Sequence, residues 1–288
     1  MERNTAKRTL EKLLSVCICL CMLGAMLPAQ VFAEEADTAQ TETVQDTAPK
    51  DTVYLSSADD LIQLAKNCRL DSWSQNRTVV LEADIDLSSV DFNGIPSFGG
   101  TWEGQNHAIT GLSLSQDGSV QGLFRYVQQG ALVRDMTVKG RIKPGGTRTS
   151  VGGIAGSNAG TIENCAFDGV VSGTSQIGGI AGVNTVKGSI NDCTVSGTVY
   201  GSHFVGGVVG QNDGVAANCT NAASVNTTVS QNEVKLNDLT LDDLLKTEKA
   251  NDVTDAGGIA GNNAGVLRAC INRGTIGYSH IGYNVGGI

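Results

Sequence analysis

Hydrophobic and polar residues alternate in short runs along most of this 288-residue chain. After Cys165, for example, Phe167 and Val171 fall on the same side of an extended segment as the cysteine. Asp168 falls on the other side, and the same alternation returns after Cys193. A period of two with one apolar side is typical of half-buried β-strands. The pattern therefore predicts many short strands and no long helix.

A glycine-rich motif recurs in the second half of the chain. Four copies of a Gly-Gly-Ile or Gly-Gly-Val motif are each followed by Ala/Val-Gly-x-Asn, a glycine and a cysteine. The copies start near residues 151, 177, 205 and 256, and a fifth starts near residue 285. A nucleotide-binding glycine loop would occur once and lead into a helix. A motif that returns at a regular spacing instead favours corners in a repeated structure.

The spacing of these copies predicts the fold class. A period of this length, with short alternating segments and glycine at the joints, is typical of a parallel β-helix with one repeat per coil. The interval between the third and fourth starts is about twice the others, which predicts an insertion at about residues 226–255. We therefore predict an all-β fold, a right-handed parallel β-helix (solenoid) with a short N-terminal capping helix and a small helical insertion.

Stacked coils give the repeated residues physical roles. Coils of a β-helix lie about 4.8 Å apart, so equivalent residues stack directly above one another. We expect the repeated amides to hydrogen-bond from coil to coil as a ladder: Asn158, Asn184, Asn212 and Asn263. We expect the repeated thiols to form a small buried column: Cys165, Cys193, Cys219 and Cys270. Disulfides between rungs are the alternative, although side chains in register point the same way.

The segment before the repeats predicts a helical cap followed by the first coils. Ser57 with Asp60 three residues later forms a capping-box pattern, and apolar residues follow at helical spacing. Such a helix would cover the open end of the solenoid, where unpaired strand edges invite aggregation. We assign residues 52–150 to this cap and the first, irregular coils, and residues 151–288 to the repeats.

The N-terminus has the pattern of an export signal. A basic start precedes an uncharged run at residues 13–27, and small residues at Val31 and Ala33 resemble a cleavage site. A membrane anchor is the alternative, but the run is shorter than the about 20 residues of a spanning helix. We predict a signal peptide at residues 1–33 and a flexible acidic linker at residues 34–51. The expected location is outside the cell or on its surface, with no membrane span after cleavage.

Charge and cysteine content narrow the possible partners. The formal net charge is −9, which argues against nucleic acid or an anionic membrane surface as a partner. The cysteines after the signal lack the close pairing of a zinc site. We therefore expect no metal and no cofactor.

The segment "FNGIPSFGGTWEGQNHAITGLSLS" and the Gly-Gly-Ile-Ala-Gly copies resemble a known family. They are similar to the GLUG-motif β-helix regions of bacterial surface and secreted proteins, including repeat regions of immunoglobulin A1 peptidases. The resemblance covers about residues 52–288 and implies a β-helix, but it says little about activity. Two features depart from the family pattern: the sequence ends within a repeat, and an acidic insertion interrupts the third coil.

An exported β-helix can also be a glycan-cleaving enzyme, which would need converging carboxylates or a Ca²⁺ site with a basic residue. Asp84 and Asp86, spaced to lie on one side of a strand, are candidates together with Asp91. The basic candidates are Arg125, Arg134 and Lys139. Solvated strand faces show the same spacing, so this pattern does not require catalysis. The histidines, His107, His203 and His280, do not form the His-Glu-x-x-His motif of zinc peptidases.

The insertion departs most from the repeat. Its leucines and acids suggest a short amphipathic helix: Leu239, Leu241, Asp242, Asp243, Leu244 and Leu245. This helix either lies along the side of the solenoid or forms a recognition loop, because insertions in repeat proteins cluster on binding faces.

These observations favour a non-catalytic, exported, surface or adhesion-type repeat protein. It would present its β-helix to a host or cell-envelope ligand, which is a glycan or a protein. The alternative is an accessory β-helix region of a larger secreted enzyme, a metallopeptidase or a glycan-active enzyme, whose catalytic domain lies outside this chain.

Overall fold

The computed structural model describes residues 50–146, 148–227, 255–277 and 285–288. All of them belong to one compact unit, Thr47–Ile288. The predicted signal peptide lies outside the described residues, as do nearly all of the predicted linker and the leucines and aspartates of the insertion at residues 239–245. The first strand begins at Lys50, two residues before the predicted start of the folded region.

The described residues form one helix and a series of short strands. In chain order these are β1 (Lys50–Leu55), α1 (Ala58–Asn67), β2 (Arg77–Leu81), β3 (Ile85–Asp86), β4 (Ile95–Phe98), β5 (Thr101–Glu103), β6 (Ala108–Leu114), β7 (Phe124–Val127), β8 (Leu132–Ile142), β9 (Thr149–Gly152), β10 (Ala155–Asn158), β11 (Thr161–Ser172), β12 (Ser175–Gly178), β13 (Ala181–Asn184), β14 (Ser189–Asn191), β15 (Thr194–Tyr200), β16 (His203–Gly206), β17 (Val209–Asn212), β18 (Val215–Ala217), β19 (Thr220–Asn221), β20 (Ser224–Val225), β21 (Ala256–Gly257), β22 (Ala260–Asn263), β23 (Val266–Arg268), β24 (Ile271–Asn272) and β25 (Val285–Gly286).

The strands form three sheets that wrap around a common core. Sheet A begins with β1, β2, β5 and β8 and continues through β11, β14, β18 and β23. Sheet B has the order β22-β17-β13-β10-β7-β4, and sheet C has the order β25-β21-β16-β12-β9. Neighbouring strands are parallel, and residues one repeat apart are paired, as Val151 is with Ile177 and Ile177 with Val205. The predicted all-β parallel solenoid with one repeat per coil is confirmed.

Helix α1 caps the N-terminal end of this solenoid. The Ser57 hydroxyl accepts a hydrogen bond from the Asp60 N–H, and the Asp60 carboxylate accepts one from the Ser57 N–H. Leu61 and Leu64 are fully buried and join the solenoid core. The helix contacts β1 and β4, the terminal strands of sheets A and B. The predicted capping box and capping helix are therefore confirmed.

The Gly-Gly-Ile-Ala-Gly motif forms the corner where sheet C meets sheet B. A Cβ atom at Gly179 would lie 2.3 Å from the Val195 side chain across the core and 2.4 Å from the Gly207 carbonyl of the next coil. No side chain fits in that space. The following Ile180 points inward and is fully buried. The glycines are thus required by close packing of the corner.

A second kind of corner bends sheet A in every coil. The residue just before each cysteine has a positive φ, as in Asn164 (48°), Asp192 (52°) and Asn218 (56°). Asn and Asp tolerate this left-handed conformation better than other residues with a side chain. Ala269 occupies the same place in the last described coil, with a φ of 52°. Its methyl side chain lacks the local hydrogen bonds that favour Asn or Asp there.

The core changes character along the solenoid. Three aromatic side chains, Phe98, Trp102 and Phe124, pack together near the capped end, with ring centroids 5.3 to 6.1 Å apart. In the repeat coils the core consists mostly of smaller aliphatic residues such as Ile154 and Ile180, with Phe167 as a buried aromatic residue. Within the described residues, no helix combines the length and apolar character needed to span a membrane.

Candidate functional site

The repeated asparagines lie inside the solenoid and bond to one another. The Asn158 Nδ2 donates to the Asn184 Oδ1 at 2.9 Å, and the Asn184 Nδ2 donates to the Asn212 Oδ1 at 2.8 Å. The Asn212 Nδ2 continues the column to the Asn263 Oδ1 at 2.7 Å. Asn158, Asn184 and Asn212 are fully buried. The structure thus brings the four predicted ladder residues together. Their side-chain amides bond to one another, which gives them a structural role.

A second asparagine pair was not anticipated from the sequence. The Asn221 Nδ2 donates to the Asn272 Oδ1 at 2.9 Å, and the Asn221 Oδ1 accepts from the Ala223 N–H. Asn221 is paired in sheet A with Val195, so an amide replaces an apolar side chain at an inner position. One feature of the sequence could have indicated this pair. The third and fourth copies have an asparagine two residues after the cysteine, whereas the first two copies do not.

The repeated cysteines form the predicted column on the inner side of sheet A. Cys165, Cys193 and Cys219 are buried, Cys270 is partly exposed, and the described cysteines are free thiols. Each thiol lies close to the carbonyl two residues before it, as Cys193 Sγ does to Asn191 O at 3.1 Å. Burial raises the pKa of Cys165 to about 12. Contact with the Cys193 thiol raises the pKa of Cys219 to about 12. Such thiols stay protonated and are poor nucleophiles near neutral pH.

Asp84 and Asp86, two of the aspartates considered for catalysis, accept hydrogen bonds from neighbouring residues. Asp84 accepts a hydrogen bond from the Ala108 N–H at 2.8 Å and lies 3.1 Å from His107 Nδ1. Asp86 accepts from both the N–H and the hydroxyl of Ser88 at 2.9 Å. These hydrogen bonds lower the pKa of both carboxyl groups. A general acid requires the opposite shift. Asp91 is exposed in the loop that follows.

Two of the basic candidates, Arg134 and Lys139, have other acidic neighbours. Arg134 forms a two-pronged ion pair with Glu103 on sheet A, at 2.7 and 2.9 Å, and this pairing raises the pKa of the guanidinium. Lys139 pairs in register with Asp168 in the next coil. Among the described residues, no three His, Cys, Asp or Glu side chains come together as a metal site would require. His280 lies outside the described residues.

A groove lies on the outer side of sheet B. It has a volume of about 720 Å³ and is lined by the loop after α1 and by strands β4, β7 and β10: Asp71, Pro96, Ser97, Arg125, Tyr126, Val127, Gln128, Ser157 and Ala159. The Tyr126 side chain is 47% exposed, whereas its strand neighbours Phe124 and Val127 point into the core. Ser97 and Ser157 flank Tyr126 in the adjacent coils.

Gln128 holds the groove together. Its Nε2 donates to the Asp71 backbone carbonyl at 2.8 Å and to the Ser97 hydroxyl at 2.7 Å. Its Oε1 accepts from Gln75 Nε2 at 3.0 Å. These bonds tie the loop after α1 to sheet B, so both walls of the groove have fixed positions. Sequence reasoning missed this site because Tyr126 and Asp71 are far apart in the chain.

Comparisons with known proteins agree with the repeat architecture. A family model described as the GLUG motif matches residues 147–172 and 173–200. Halomucin from Haloquadratum walsbyi is 29% identical over 128 residues, which cover 38% of this chain. This chain spans only 1% of the length of Halomucin. A crystal structure of a candidate immunoglobulin A1 protease from Bacteroides ovatus matches with a TM-score of 0.50 and 18% identity, and the match covers 81% of this chain and 82% of that one.

Proposed function

Because the chain is a GLUG-repeat protein with a parallel β-solenoid fold, we propose that it is a non-catalytic surface or adhesion-type protein. In this proposal residues 1–33 direct export, and the solenoid presents its outer faces to a host or cell-envelope ligand. The ligand is a glycan or a protein.

One observation carries the proposal: the residues that define the repeat point inward, while the outward residues differ from coil to coil. The corner glycines pack closely against neighbouring coils, and the ladder asparagines and column cysteines form hydrogen bonds within the solenoid. By contrast, the column through Tyr126 on sheet B continues as Ser157, Val183 and Gln211. A framework that holds its own shape leaves such outer columns free to specialise for binding, as in other solenoids.

A second candidate function is favoured by the fold match to the Bacteroides ovatus chain, which extends over 82% of that chain. In this alternative the solenoid is an accessory region of a larger secreted enzyme, a peptidase or a glycan-active one. Reading the gene on both sides of this sequence tests the alternative. A neighbouring segment with a metal-ligand or paired-carboxylate motif would favour it over the first proposal.

Binding and turnover measured side by side test the first proposal. The purified chain is expected to bind immobilised mucins, bacterial wall glycans or extracellular matrix proteins, and to leave peptide and glycan substrates uncleaved. Asp84→Asn serves as the control because Asp84 is one of the carboxylates considered for catalysis. If the chain cleaves a substrate and Asp84→Asn abolishes that cleavage, the non-catalytic assignment is wrong. If the chain binds none of the three ligand classes, the binding assignment is wrong.

A further inference from the structure

We infer that the groove around Tyr126 binds a neutral glycan, with a pyranose ring stacked on the tyrosine. This inference rests on the proposed function and names the ligand class and the site. The groove volume of about 720 Å³ lies within the range of roughly 300–1,000 Å³ that is common for small-molecule sites. The ligand, like the groove, would lie across the parallel strands β4, β7 and β10.

Tyr126 has the exposure and surroundings of a stacking platform. It is one of few large hydrophobic side chains exposed on the described surface. Its neighbours in the adjacent coils are Ser97 and Ser157, which are too small to cover an aromatic ring. The apolar C–H face of a pyranose packs on such a ring, while the tyrosine hydroxyl stays at the polar edge.

The polar residues of the groove match the hydroxyl groups of a sugar. Asp71 supplies a carboxylate acceptor and Ser157 a hydroxyl at the groove wall. The Arg125 guanidinium is held by bonds from its Nε to the Val120 carbonyl at 3.1 Å and from its Nη2 to the Ser119 carbonyl at 3.3 Å. One acidic and one basic residue give the lining no net charge. A neutral sugar suits this lining better than a polyanion, which the net charge of −9 would also repel.

A peptide is less suited to this groove than a sugar. Extended peptides usually bind by adding a strand to an unpaired sheet edge. Strand β7 is already paired with β4 on one side and β10 on the other. At the edge strand β4, Pro96 has no N–H to offer, and the Gly99 N–H just beyond it donates to Ser74 Oγ at 2.8 Å. Neither Pro96 nor Gly99 therefore offers a free N–H to an added peptide strand.

The groove is also preorganised, which reduces the entropy cost of binding. Gln128 joins the Asp71 loop to Ser97 of sheet B through two hydrogen bonds from one amide nitrogen. A ligand would therefore not have to order the loop.

The experiment uses the whole chain on an array of mucin O-glycans, bacterial wall fragments and neutral plant oligosaccharides, followed by calorimetry with the best oligosaccharide. We expect Tyr126→Ala to weaken binding at least about tenfold, Tyr126→Phe to retain it within about threefold, and Asp71→Ala to weaken it several-fold. Tyr54→Ala is the matched control, because Tyr54 is 58% exposed on β1 and does not line the groove. The array arms separate a host source of the glycan from a bacterial one.

The outcomes distinguish the two proposals. If the chain binds an oligosaccharide and both Tyr126→Ala and Asp71→Ala bind equally well, the groove assignment is wrong and the binding function stands. If it binds only proteins or deglycosylated mucin, the glycan class is wrong while the adhesion-type role survives. Because Asp71 is in an exposed loop, its variant tests the site even if Tyr126→Ala lowers stability.

Discussion

Asn184 is a fully buried rung in the middle of the asparagine ladder. Its Nδ2 donates to the carbonyls of Gly188 and Val215 and to the Asn212 side chain, while its Oδ1 accepts from Asn158. The side chain therefore connects three coils. A buried polar group that loses its partner costs roughly 1–3 kcal/mol. Removing the Asn184 rung takes one hydrogen bond from each neighbouring rung, Asn158 and Asn212.

Replacing this rung tests the ladder directly. Asn184→Ala is expected to lower the free energy of unfolding by roughly 2–4 kcal/mol, because the Asn158 Nδ2 loses one of its acceptors, the Asn212 Oδ1 loses the Asn184 donor, and the fully buried side chain leaves a cavity. Asn263→Ala is the matched control at the exposed end of the same ladder and should cost less than about 1 kcal/mol. Urea denaturation followed by circular dichroism measures both. Equal losses in the two variants would contradict a role for burial in the ladder.

The bend before each cysteine offers a stabilising substitution. Ala269 adopts a φ of 52°, where Asn164 and Asn218 occupy the equivalent place in other coils. Ala269→Asn is expected to raise the free energy of unfolding by about 0.5–1 kcal/mol, because asparagine tolerates left-handed backbone conformations. Ala264→Asn, at an exposed position without a positive φ, should bring no gain. A gain of similar size at both positions would mean that the backbone conformation is not the cause.

At the scale of elements, the buried cysteines on the inner side of sheet A make the stability of the fold depend on pH. Cys165 is 2% exposed, and burial raises its pKa from 9.0 to about 12. Below pH 9 the thiol is protonated in both the folded and the unfolded chain, so its contribution to stability is constant. Above pH 9 the unfolded chain loses the proton while the folded chain keeps it. Stability therefore falls as the pH rises from 9 towards 12.

This linkage predicts a pH-dependent difference between two proteins. Between pH 8 and pH 10.5 the unmodified chain should lose roughly 1–2 kcal/mol more stability than Cys165→Ala, because the variant lacks this titrating thiol. Chemical denaturation at the two pH values measures the difference, and comparing each protein with itself removes the packing cost of the substitution. Identical losses would show that the Cys165 pKa is not raised by folding.

At the scale of the whole molecule, α1 determines how the solenoid ends. The helix covers the terminal strands β1 and β4 and buries Leu61 and Leu64 against the core. An uncovered end would present unpaired N–H and C=O groups, which template pairing with another chain. Capping elements of this kind keep repeat proteins soluble.

Undocking the helix should therefore cause self-association. Leu61→Asp places a charge in the core contact and is expected to shift the chain to dimers or larger species. Gln63→Asp introduces the same charge on the exposed side of α1 and should leave the oligomeric state unchanged. Size-exclusion chromatography with light scattering distinguishes them. If Leu61→Asp had the same mass as the unmodified chain, the helix would not be the element that protects this end.

The repeated motif was sufficient to predict the coils and the contents of the ladders, and the capping-box pattern at Ser57 and Asp60 was sufficient to predict the helix. Stacking at a fixed period places equivalent residues above one another, so Asn158 and Asn184 had to be neighbours once the β-helix was identified. The Asn221–Asn272 pair was harder to predict. From the sequence alone a polar residue in a strand is expected to point outward, and only the strand register shows that these amides point inward. The same uncertainty applied to Asp84 and Asp86, whose hydrogen-bond partners depend on local turns.

What the sequence by itself determined is the interior: periodic glycines, asparagines and cysteines specify corners and columns because each coil packs only on its neighbours. What only the tertiary structure decided is the groove on sheet B. It joins Asp71, in the loop after α1, to Tyr126 and Ser157 in later coils. No local pattern relates these residues, because their proximity arises from how the cap docks on the solenoid and from which side chains the coil register turns outward.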